Sequence, residues 1–208
     1  MEYPERTKWA IDPAHSEISF KVKYLMITNI KGTFKDFSAS VYTTDNNFIT
    51  SDIDFSLITD SVDTGMADRD VHLKSHDFFD SENHRNISFT GKSIDKAGSV
   101  KYKLIGDLTI KDITREVKLD VEFAGLMKDP WGNEKAGYSI EGKINRKNWD
   151  LNWNAALETG GFLLSDEVKI LCEVQLVKQD VTQKKEKPIL QQTEIQDDLE
   201  QEDSDEIE

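Results

Sequence analysis

Apolar and polar residues alternate one by one along eight stretches of the chain, a pattern typical of β-strands that are buried on one face. In residues 18–24, for example, Ile18, Phe20 and Val22 alternate with serine and lysine. The same alternation recurs in residues 33–43, 53–57, 87–95, 100–110, 117–123, 138–144 and 168–176. We therefore predict eight strands, each with one apolar and one polar face.

The links between these strands are mostly short, which favours an antiparallel sheet that follows the order of the chain. No other layer in the sequence pattern would cover the apolar face, so closure into a barrel is expected, and closure also removes the unpaired edges. An eight-stranded barrel is just wide enough to be filled by its own side chains or to hold one slim ligand. The pattern predicts an all-β barrel and leaves both kinds of interior open.

One charged segment, MADRDVHLKSHDFFD at residues 66–80, interrupts the strand pattern. Thr64 is a favourable N-cap residue, and Asp68 would lie in the first turn, where the helix dipole favours an anion. We predict a short helix from about Met66 to Ser75. The two phenylalanines that follow would pack its end against the barrel.

One side of this helix would carry Arg69, His72 and His76. Two histidines four residues apart could ligate Zn or Cu with an Asp as third ligand, but no cysteine and no third histidine at a telling distance supports this. Alternatively, Arg69 pairs with a carboxylate, His72 makes a local hydrogen bond, and the helix only plugs one end of the barrel. In a third interpretation the helix closes the mouth of a ligand cavity, where Arg69 faces an anionic head group. The residues alone leave these alternatives open.

The acidic charge of the chain is concentrated at its C-terminal end. Residues 179–208 hold three lysines and eleven acidic residues, a net charge of −8 out of the total of −14, which leaves −6 for residues 1–178. A segment so polar cannot bury enough surface to offset its ordering entropy. We therefore predict a barrel domain over residues 1–178 and a disordered acidic tail over residues 179–208.

Charge and composition argue against several classes of function. An acidic chain is a poor candidate for nucleic acid, because phosphate binding needs clustered Lys and Arg, and the same charge predicts repulsion from anionic membranes. The opening MEYPERTKWAIDP lacks the apolar core of a secretory signal, and no stretch is long enough to be a membrane helix. The single cysteine, Cys172, lies in an apolar run and is expected to be a buried hydrophobic residue. We predict a cytoplasmic protein without an integral membrane segment.

Four segments carry recognisable motifs: WAIDPAHSEISFKVKYLMITNIKGTF (9–34), SVDTGMADRDVHLKSHDFFD (61–80), GDLTIKDITREVKLDVEFAG (106–125) and INRKNWDLNWNAALETGGFLLSDEVKI (144–170). In this order and spacing, over residues 8–178, they resemble the YceI-like family, also called polyisoprenoid-binding proteins. The matching positions include Asp12, His15, Ser16, Gly32, Phe34, Arg69, Asp70, His72, Leu73, Asp77, Phe78, Gly106, Asp107, Asn145, Arg146 and Trp153.

The resemblance implies a lipocalin-like, eight-stranded antiparallel barrel around an elongated apolar tunnel. Members of the family hold a long isoprenoid chain or another amphiphile there, with its polar head at the mouth, and homodimers occur among them. The resemblance implies no catalytic residue, no metal ion and no cofactor. Tyr24 departs from the family pattern, since many members have His at this position. Because Tyr24 points inward by alternation, it would narrow the tunnel or change the preferred ligand.

We therefore predict a non-catalytic protein that binds or carries an isoprenoid or other fatty amphiphile in the barrel. Two alternatives remain: an enzyme that acts on a small hydrophobic substrate with His72 or His15 as acid or base, and an interaction module with a packed barrel. Arg69 and His72 are the candidates for contacting the head group. The residues predicted to bind the ligand are Phe20, Val22, Tyr24, Phe55, Leu57, Arg69, His72, Phe89, Leu104, Leu119, Val121, Phe123 and Ile140.

Overall fold

The computed structural model of the chain describes residues 6–44, 47–157 and 160–179. In these residues one α-helix and three short 3₁₀ helices (Pro13–His15, Thr59–Ser61 and Arg146–Trp149) accompany eleven strands, and every pairing between the strands is antiparallel. The elements are β1 (Arg6–Ile11), β2 (Glu17–Tyr24), β3 (Thr28–Phe34), β4 (Phe37–Thr44), β5 (Asn47–Ile58), β6 (Val62–Asp63), α1 (Ala67–Lys74), β7 (Asn86–Lys96), β8 (Lys101–Ile110), β9 (Ile113–Lys128), β10 (Glu134–Asn145) and β11 (Leu164–Gln179).

The strands close into a barrel because β1 pairs with β11 as well as with β4. Around the ring the order is β1, β4, β5, β7, β8, β9, β10 and β11. The three remaining strands are second parts of strands in this ring. β2 follows β1 and pairs with the next part of β11. β3 precedes β4 and pairs with β2, and β6 follows β5 and pairs with β3. The predicted eight-stranded antiparallel barrel is confirmed, and three of its strands are bent into two parts.

The bend between β1 and β2 is made by the Asp12–Ser16 motif. The backbone N–H of Asp12 donates to the Gln175 carbonyl at 2.8 Å, and the Ser16 hydroxyl accepts from the Gln175 N–H at 2.9 Å. Asp12 Oδ1 also accepts from the Ala14 N–H at 3.1 Å. These bonds tie the bend to β11, so the motif has a clear structural role.

The second predicted strand differs from the expectation in its start and in its break. It begins at Thr28 rather than at Thr33, and it does not run unbroken to residue 43. The chain bends instead at Lys35 and Asp36, whose backbone N–H groups both donate to the Ser61 hydroxyl, at 3.2 and 3.0 Å. Because Ser61 is 25 residues or more away along the chain, the local pattern gives no sign of this bend.

Helix α1 lies within one residue of the predicted helix at each end. The predicted N-cap is wrong, because Met66 occupies that position and makes no capping hydrogen bond through its side chain. Thr64 instead donates its backbone N–H to Asp70 Oδ1 at 2.9 Å. The prediction that His76 shares a helix face with Arg69 is also wrong, because the helix has ended before His76 and that side chain is 86% exposed.

The buried core lies on the inner face of the barrel and at its two ends. Phe78 and Phe79 are both buried and fix the end of α1, with the Phe79 ring 5.6 Å from the ring of Phe34. The last strand reaches Gln179, one residue beyond the predicted domain boundary. The rest of the predicted disordered tail lies outside the described residues.

Candidate functional site

The barrel encloses a cavity of about 730 Å³. Hydrocarbon side chains from the inner faces of the strands form most of its wall, and polar side chains are few. All thirteen residues named from the sequence line this cavity. Their contact with a ligand stays a prediction, but the structure brings them into one continuous space.

Several inward side chains are only half-buried, although they point away from the outer surface of the barrel. Phe20, Phe55, Val121, Phe123 and Ile140 are of this kind, and each lines the cavity. In a barrel packed solid by its own side chains, neighbouring atoms would cover such residues fully. The hollow interior is therefore visible both in the cavity volume and in the incomplete burial of its wall.

An aromatic group lines the end of the cavity nearest β1. The Phe48 ring lies 5.5 Å from the ring of Tyr138 and 6.3 Å from that of Phe123, and Phe123 and Tyr138 lie 5.3 Å apart. Trp9 packs behind Phe48 at 5.2 Å, and its indole N–H donates to the Thr43 hydroxyl at 3.1 Å. Burial raises the pKa of the Tyr138 hydroxyl above its ordinary value, and this hydroxyl has no hydrogen-bond partner among the described residues.

The opposite end of the cavity is polar and lies beside α1. Arg69 donates from Nε to the Thr64 hydroxyl at 2.7 Å and from Nη2 to the Thr64 carbonyl at 2.8 Å. Asp70, on the other side of Thr64, accepts from its hydroxyl. Within the described part of the chain, no carboxylate forms an ion pair with Arg69. The guanidinium is thus held in place on one side and keeps its Nη1 donors for another group.

His72 lines the cavity between a carboxylate and two aromatic rings. Its Nε2 lies 3.0 Å from Asp77 Oδ2, and its ring meets the rings of Phe78 and Trp153 edge-on at 5.0 and 4.6 Å. This arrangement combines two of the interpretations of the sequence, because His72 makes a local polar contact and also faces the cavity. The ring is oriented by its neighbours before any ligand arrives.

The position of Trp153 depends on a buried arginine. Arg146 is only 3% exposed and donates to the carbonyls of Ser165 at 3.0 Å, Trp153 at 2.9 Å and Leu151. Desolvation lowers the pKa of this guanidinium from its ordinary value. The Asn145–Arg146 motif therefore fixes the segment that carries Trp153 over His72. The sequence shows the motif but no pattern that connects it with the position of Trp153.

Some functional candidates lie elsewhere or lack partners. His15 is on the outside of the barrel, with its side chain 63% exposed and Nδ1 2.9 Å from Asp12 Oδ2, so it is not among the cavity residues. Within the described ranges, no three His, Cys, Asp or Glu side chains are grouped closely enough to hold a metal ion. Cys172 lines the cavity, and burial raises the pKa of its thiol to about 12.

The sequence reasoning missed several residues that complete the wall. Phe48 was missed because residues 47–52 do not alternate, and Tyr138 was recognised only as a strand residue. Trp153 belongs to a recognisable motif, but the motif does not indicate that this residue lines the cavity. Its place follows from the bonds made by Arg146, which span up to 19 residues and leave no local pattern.

No helix among the residues described is both long enough and apolar enough to cross a membrane.

The fold agrees with comparisons to known proteins. Residues 9–176 match the family model of the YceI-like domain. A relative from Staphylococcus epidermidis, a UPF0312 protein, is 41% identical over 164 residues, which is 78% of this chain and 93% of the relative. Another relative, from Staphylococcus aureus strain MSSA476, is 42% identical with the same coverage.

Solved structures show the same architecture. The YCEI protein of Campylobacter jejuni is 30% identical, with a TM-score of 0.62 over 86% of this chain and 99% of that chain. A polyisoprenoid binding domain from Saccharophagus degradans is 12% identical, with a TM-score of 0.57 over 82% of this chain and 98% of that one. At 12% identity the second likeness shows the fold alone.

Proposed function

The chain belongs to the YceI-like domain family, and from that premise we propose that it binds one isoprenoid or other long-chain amphiphile in its barrel without changing it chemically. The observation that carries the proposal is the continuous apolar cavity of about 730 Å³. This volume lies within the range of roughly 300–1,000 Å³ that is typical of small-molecule sites. The name of the Saccharophagus domain adds support for the class of ligand, although it describes that protein.

The walls suit a hydrocarbon chain because they offer it almost nothing but hydrocarbon. Each CH₂ group that leaves water contributes about 0.8 kcal/mol, so a chain of about a dozen carbons offsets the ordering costs of binding. Polar atoms would lose their hydration in most of this space without gaining a partner. The proposed ligand therefore has a long apolar tail.

The polar end of the cavity gives the ligand an orientation. Arg69 and His72 lie there together, and Arg69 has donors that no carboxylate of the described residues takes. A planar guanidinium suits a phosphate or carboxylate head group, because its donors form paired hydrogen bonds with two oxygens. We place the head group beside α1 and the tail toward Phe48 and Tyr138.

Two other functions compete with this proposal. A barrel that serves only as an interaction module needs no interior space, and the cavity speaks against it. An enzyme would have to use His72, which pairs with Asp77 at 3.0 Å and faces the cavity, because His15 lies outside it. The proposal also includes a cytoplasmic location and no role for nucleic acid. The self-association that the family resemblance implies is a separate expectation, measurable by light scattering.

The test begins with protein purified without detergent and analysed by native mass spectrometry. After delipidation, the protein is titrated with geranylgeranyl phosphate, geranylgeraniol and palmitate, and tryptophan fluorescence follows the uptake, with Trp153→Phe identifying the part of the signal that comes from Trp153. We expect one ligand per barrel. Absence of binding by all three probes would sink the proposal. A bound lipid whose mass changes with time, with the change abolished in His72→Ala, would establish the enzyme instead.

The variant Arg69→Gln tests whether Arg69 binds the head group of the ligand rather than its tail. It should weaken the phosphate about tenfold or more and leave geranylgeraniol almost unchanged, because only the charged hydrogen bonds are lost. Arg85→Gln is the matched control, since Arg85 is exposed and is not a cavity residue. Equal losses for phosphate and alcohol would contradict the proposed orientation.

A further inference from the structure

The turn between β2 and β3 has a backbone that its residues do not favour. The Ile27 N–H donates to the Tyr24 carbonyl at 3.1 Å, and Leu25 and Met26 both have positive φ, 51° and 58°. This is the geometry of a type I′ turn, for which Asn-Gly is the preferred pair. Bulky residues are outliers at positive φ, so this turn carries Leu and Met at a cost to the isolated protein.

The same turn exposes its hydrophobic side chains. Met26 is 60% and Ile27 82% exposed, and Phe162, in the neighbouring segment, is 58% exposed. The Leu25 N–H donates to the Leu163 carbonyl at 2.8 Å, which holds the turn beside Phe162. We call Leu25, Met26, Ile27 and Phe162 the apolar rim. It adjoins the cavity, because its chain neighbours Tyr24 and Leu163 line the cavity wall.

A row of lysines crosses the outer face of the barrel behind this rim. Lys143 is opposite Lys169, Lys169 is opposite Lys21, and Lys21 is opposite Lys31 in four neighbouring strands. Like charges directly opposite each other destabilise a sheet. As with the strained turn, the arrangement is unfavourable for the protein by itself.

Only the two ends of this row are neutralised. Lys31 pairs with Glu17 at 2.6 Å and Lys143 with Glu167 at 3.3 Å. Lys21 and Lys169, in the centre, have no carboxylate partner among the described residues, nor does Lys23, which is closer to the turn. Three unpaired cations thus lie beside an exposed apolar tip.

We propose that the apolar rim and these unpaired lysines dock the barrel onto a bilayer that contains anionic phospholipid. Exposed apolar side chains enter the boundary between head groups and acyl chains, and basic residues near the surface are attracted to anionic lipid. Docking would bring the α1 end of the cavity to the membrane surface, where a long-chain amphiphile enters or leaves. This purpose rests on the proposed function, whereas the docking itself does not.

The distribution of charge favours membrane docking through this end of the barrel over docking through the opposite end. Met127, near the end of β9, and Trp131, in the β9–β10 connection, are also exposed, by 77% and 81%. That connection lies beside the end of β11, where Lys178 pairs with Glu134 at 2.7 Å and the next residues of the sequence, 180–208, carry a net charge of −8. We expect an anionic surface to be repelled more strongly at the end of the barrel where the chain continues past Gln179 into this acidic sequence. The repulsion expected from the total charge of −14 therefore opposes docking through the Trp131 end of the barrel more than docking through the apolar rim.

The test is flotation of the full chain with vesicles of phosphatidylcholine alone or with 30% phosphatidylglycerol, at low and at physiological salt. We expect binding that needs the anionic lipid and weakens with salt. Leu25→Asn with Met26→Gly should reduce binding about tenfold while the melting temperature stays equal or rises, because Asn-Gly suits the turn. Lys21→Gln with Lys169→Gln should reduce it by at least tenfold on anionic vesicles. The control, Met127→Ser with Trp131→Ser, should bind like the unaltered protein.

Several results would overturn the proposal: no vesicle binding by the unaltered chain, unchanged binding by both rim and lysine variants, or loss in the Trp131 control instead. A dimer that dissociates in Leu25→Asn with Met26→Gly would make the rim a contact between two copies. Native mass spectrometry distinguishes this proposal from the proposed function. Ligand content without vesicle binding refutes docking alone, and vesicle binding by a chain that takes up no amphiphile refutes carriage alone.

Discussion

The tip of the Phe20 ring lies 2.4 Å from the point where a Cβ on Gly32 would stand. The two residues are directly opposite each other in β2 and β3, and Phe20 lines the cavity. No side chain other than hydrogen fits beneath the ring in this position. Gly32 thus sets the shape of one wall of the cavity from the neighbouring strand.

Gly32→Ala should force the Phe20 ring out of its place and toward the cavity. We expect the free energy of unfolding to fall by roughly 1–3 kcal/mol, because overpacking moves side chains from their preferred rotamers. Uptake of geranylgeraniol should fall as well. Urea denaturation and the fluorescence titration measure the two effects. Gly98→Ala is the control, since a Cβ there would meet its nearest neighbour at an ordinary 3.5 Å.

A double variant checks that the ring is the cause. Gly32→Ala combined with Phe20→Leu should recover stability relative to the sum of the two single changes, because the shorter side chain no longer meets the new methyl group. Purely additive losses would contradict the steric explanation.

Arg146 should be the most sensitive residue of the segment that carries Trp153. Arg146→Met removes a buried guanidinium that bonds three backbone carbonyls, so those carbonyls lose their partner and the free energy of unfolding should fall by about 3 kcal/mol or more. Arg146→Lys should not restore it, because an ammonium cannot reproduce the planar set of donors. Thermal unfolding measures the loss, and acrylamide quenching in a Trp131→Phe background, which removes the 81% exposed tryptophan, shows whether the segment of Trp153 has opened. A stable Arg146→Met protein with a protected Trp153 would refute this role.

The alternation of side chains was enough to predict the inner wall, because period two fixes the face of every residue once one residue of a strand is placed. It therefore brought Phe20, Leu57 and Val121 into one space. It could not tell a hollow barrel from a filled one, since that depends on the summed volumes of side chains from all strands. The cavity itself is a property of the closed sheet.

The bends and the polar end depend on contacts between distant parts of the chain. Ser61 caps the backbone at Lys35 and Asp36, and Arg146 reaches the carbonyl of Ser165. Neither link leaves a periodic signal. The error at Thr64 has a local origin, because a residue that suits an N-cap bonds here to Asp70, six residues further along the chain.

Asp12 should make the barrel sensitive to acid. Desolvation raises its pKa, but hydrogen bonds from His15, Lys135, the Ala14 N–H and Gln175 outweigh this and hold the pKa below the ordinary value of 3.8. Because the folded-state pKa is the lower one, the carboxylate stabilises the fold above about pH 4, and this contribution is lost as the pH falls through the folded-state pKa.

Asp12→Asn should therefore lower the free energy of unfolding by roughly 1–3 kcal/mol at pH 7. The difference from the unaltered protein should shrink as the pH falls from about 4 through the folded-state pKa of Asp12, below which the unaltered side chain is also neutral. Urea denaturation at a series of pH values measures it, and Asp95→Asn, at an exposed position, is the control. A difference that stays constant down to pH 2 would show that the charge of Asp12 is not the cause.

Cys172 offers a direct probe of the cavity from inside. Its side chain lines the cavity, and burial raises the pKa of its thiol to about 12, so at pH 8 only about one thiol in ten thousand is ionised. An ordinary cysteine, with a pKa near 8.5, is about a quarter ionised at that pH. Iodoacetamide should therefore label the folded protein about a thousandfold more slowly than the protein unfolded in guanidinium.

The pH dependence of the labelling rate and the effect of a bound ligand show whether slow labelling of Cys172 comes from a thiol that is rarely ionised or from a reagent that cannot reach it. Because the thiolate fraction grows tenfold per pH unit below the pKa, the labelling rate should rise in the same proportion between pH 8 and 10 in the folded protein. Geranylgeraniol should slow it further by filling the space beside the thiol. Mass spectrometry follows the added carbamidomethyl group. Rapid labelling of the folded protein at pH 8 would mean that water reaches Cys172 freely, and it would contradict the raised pKa of this thiol.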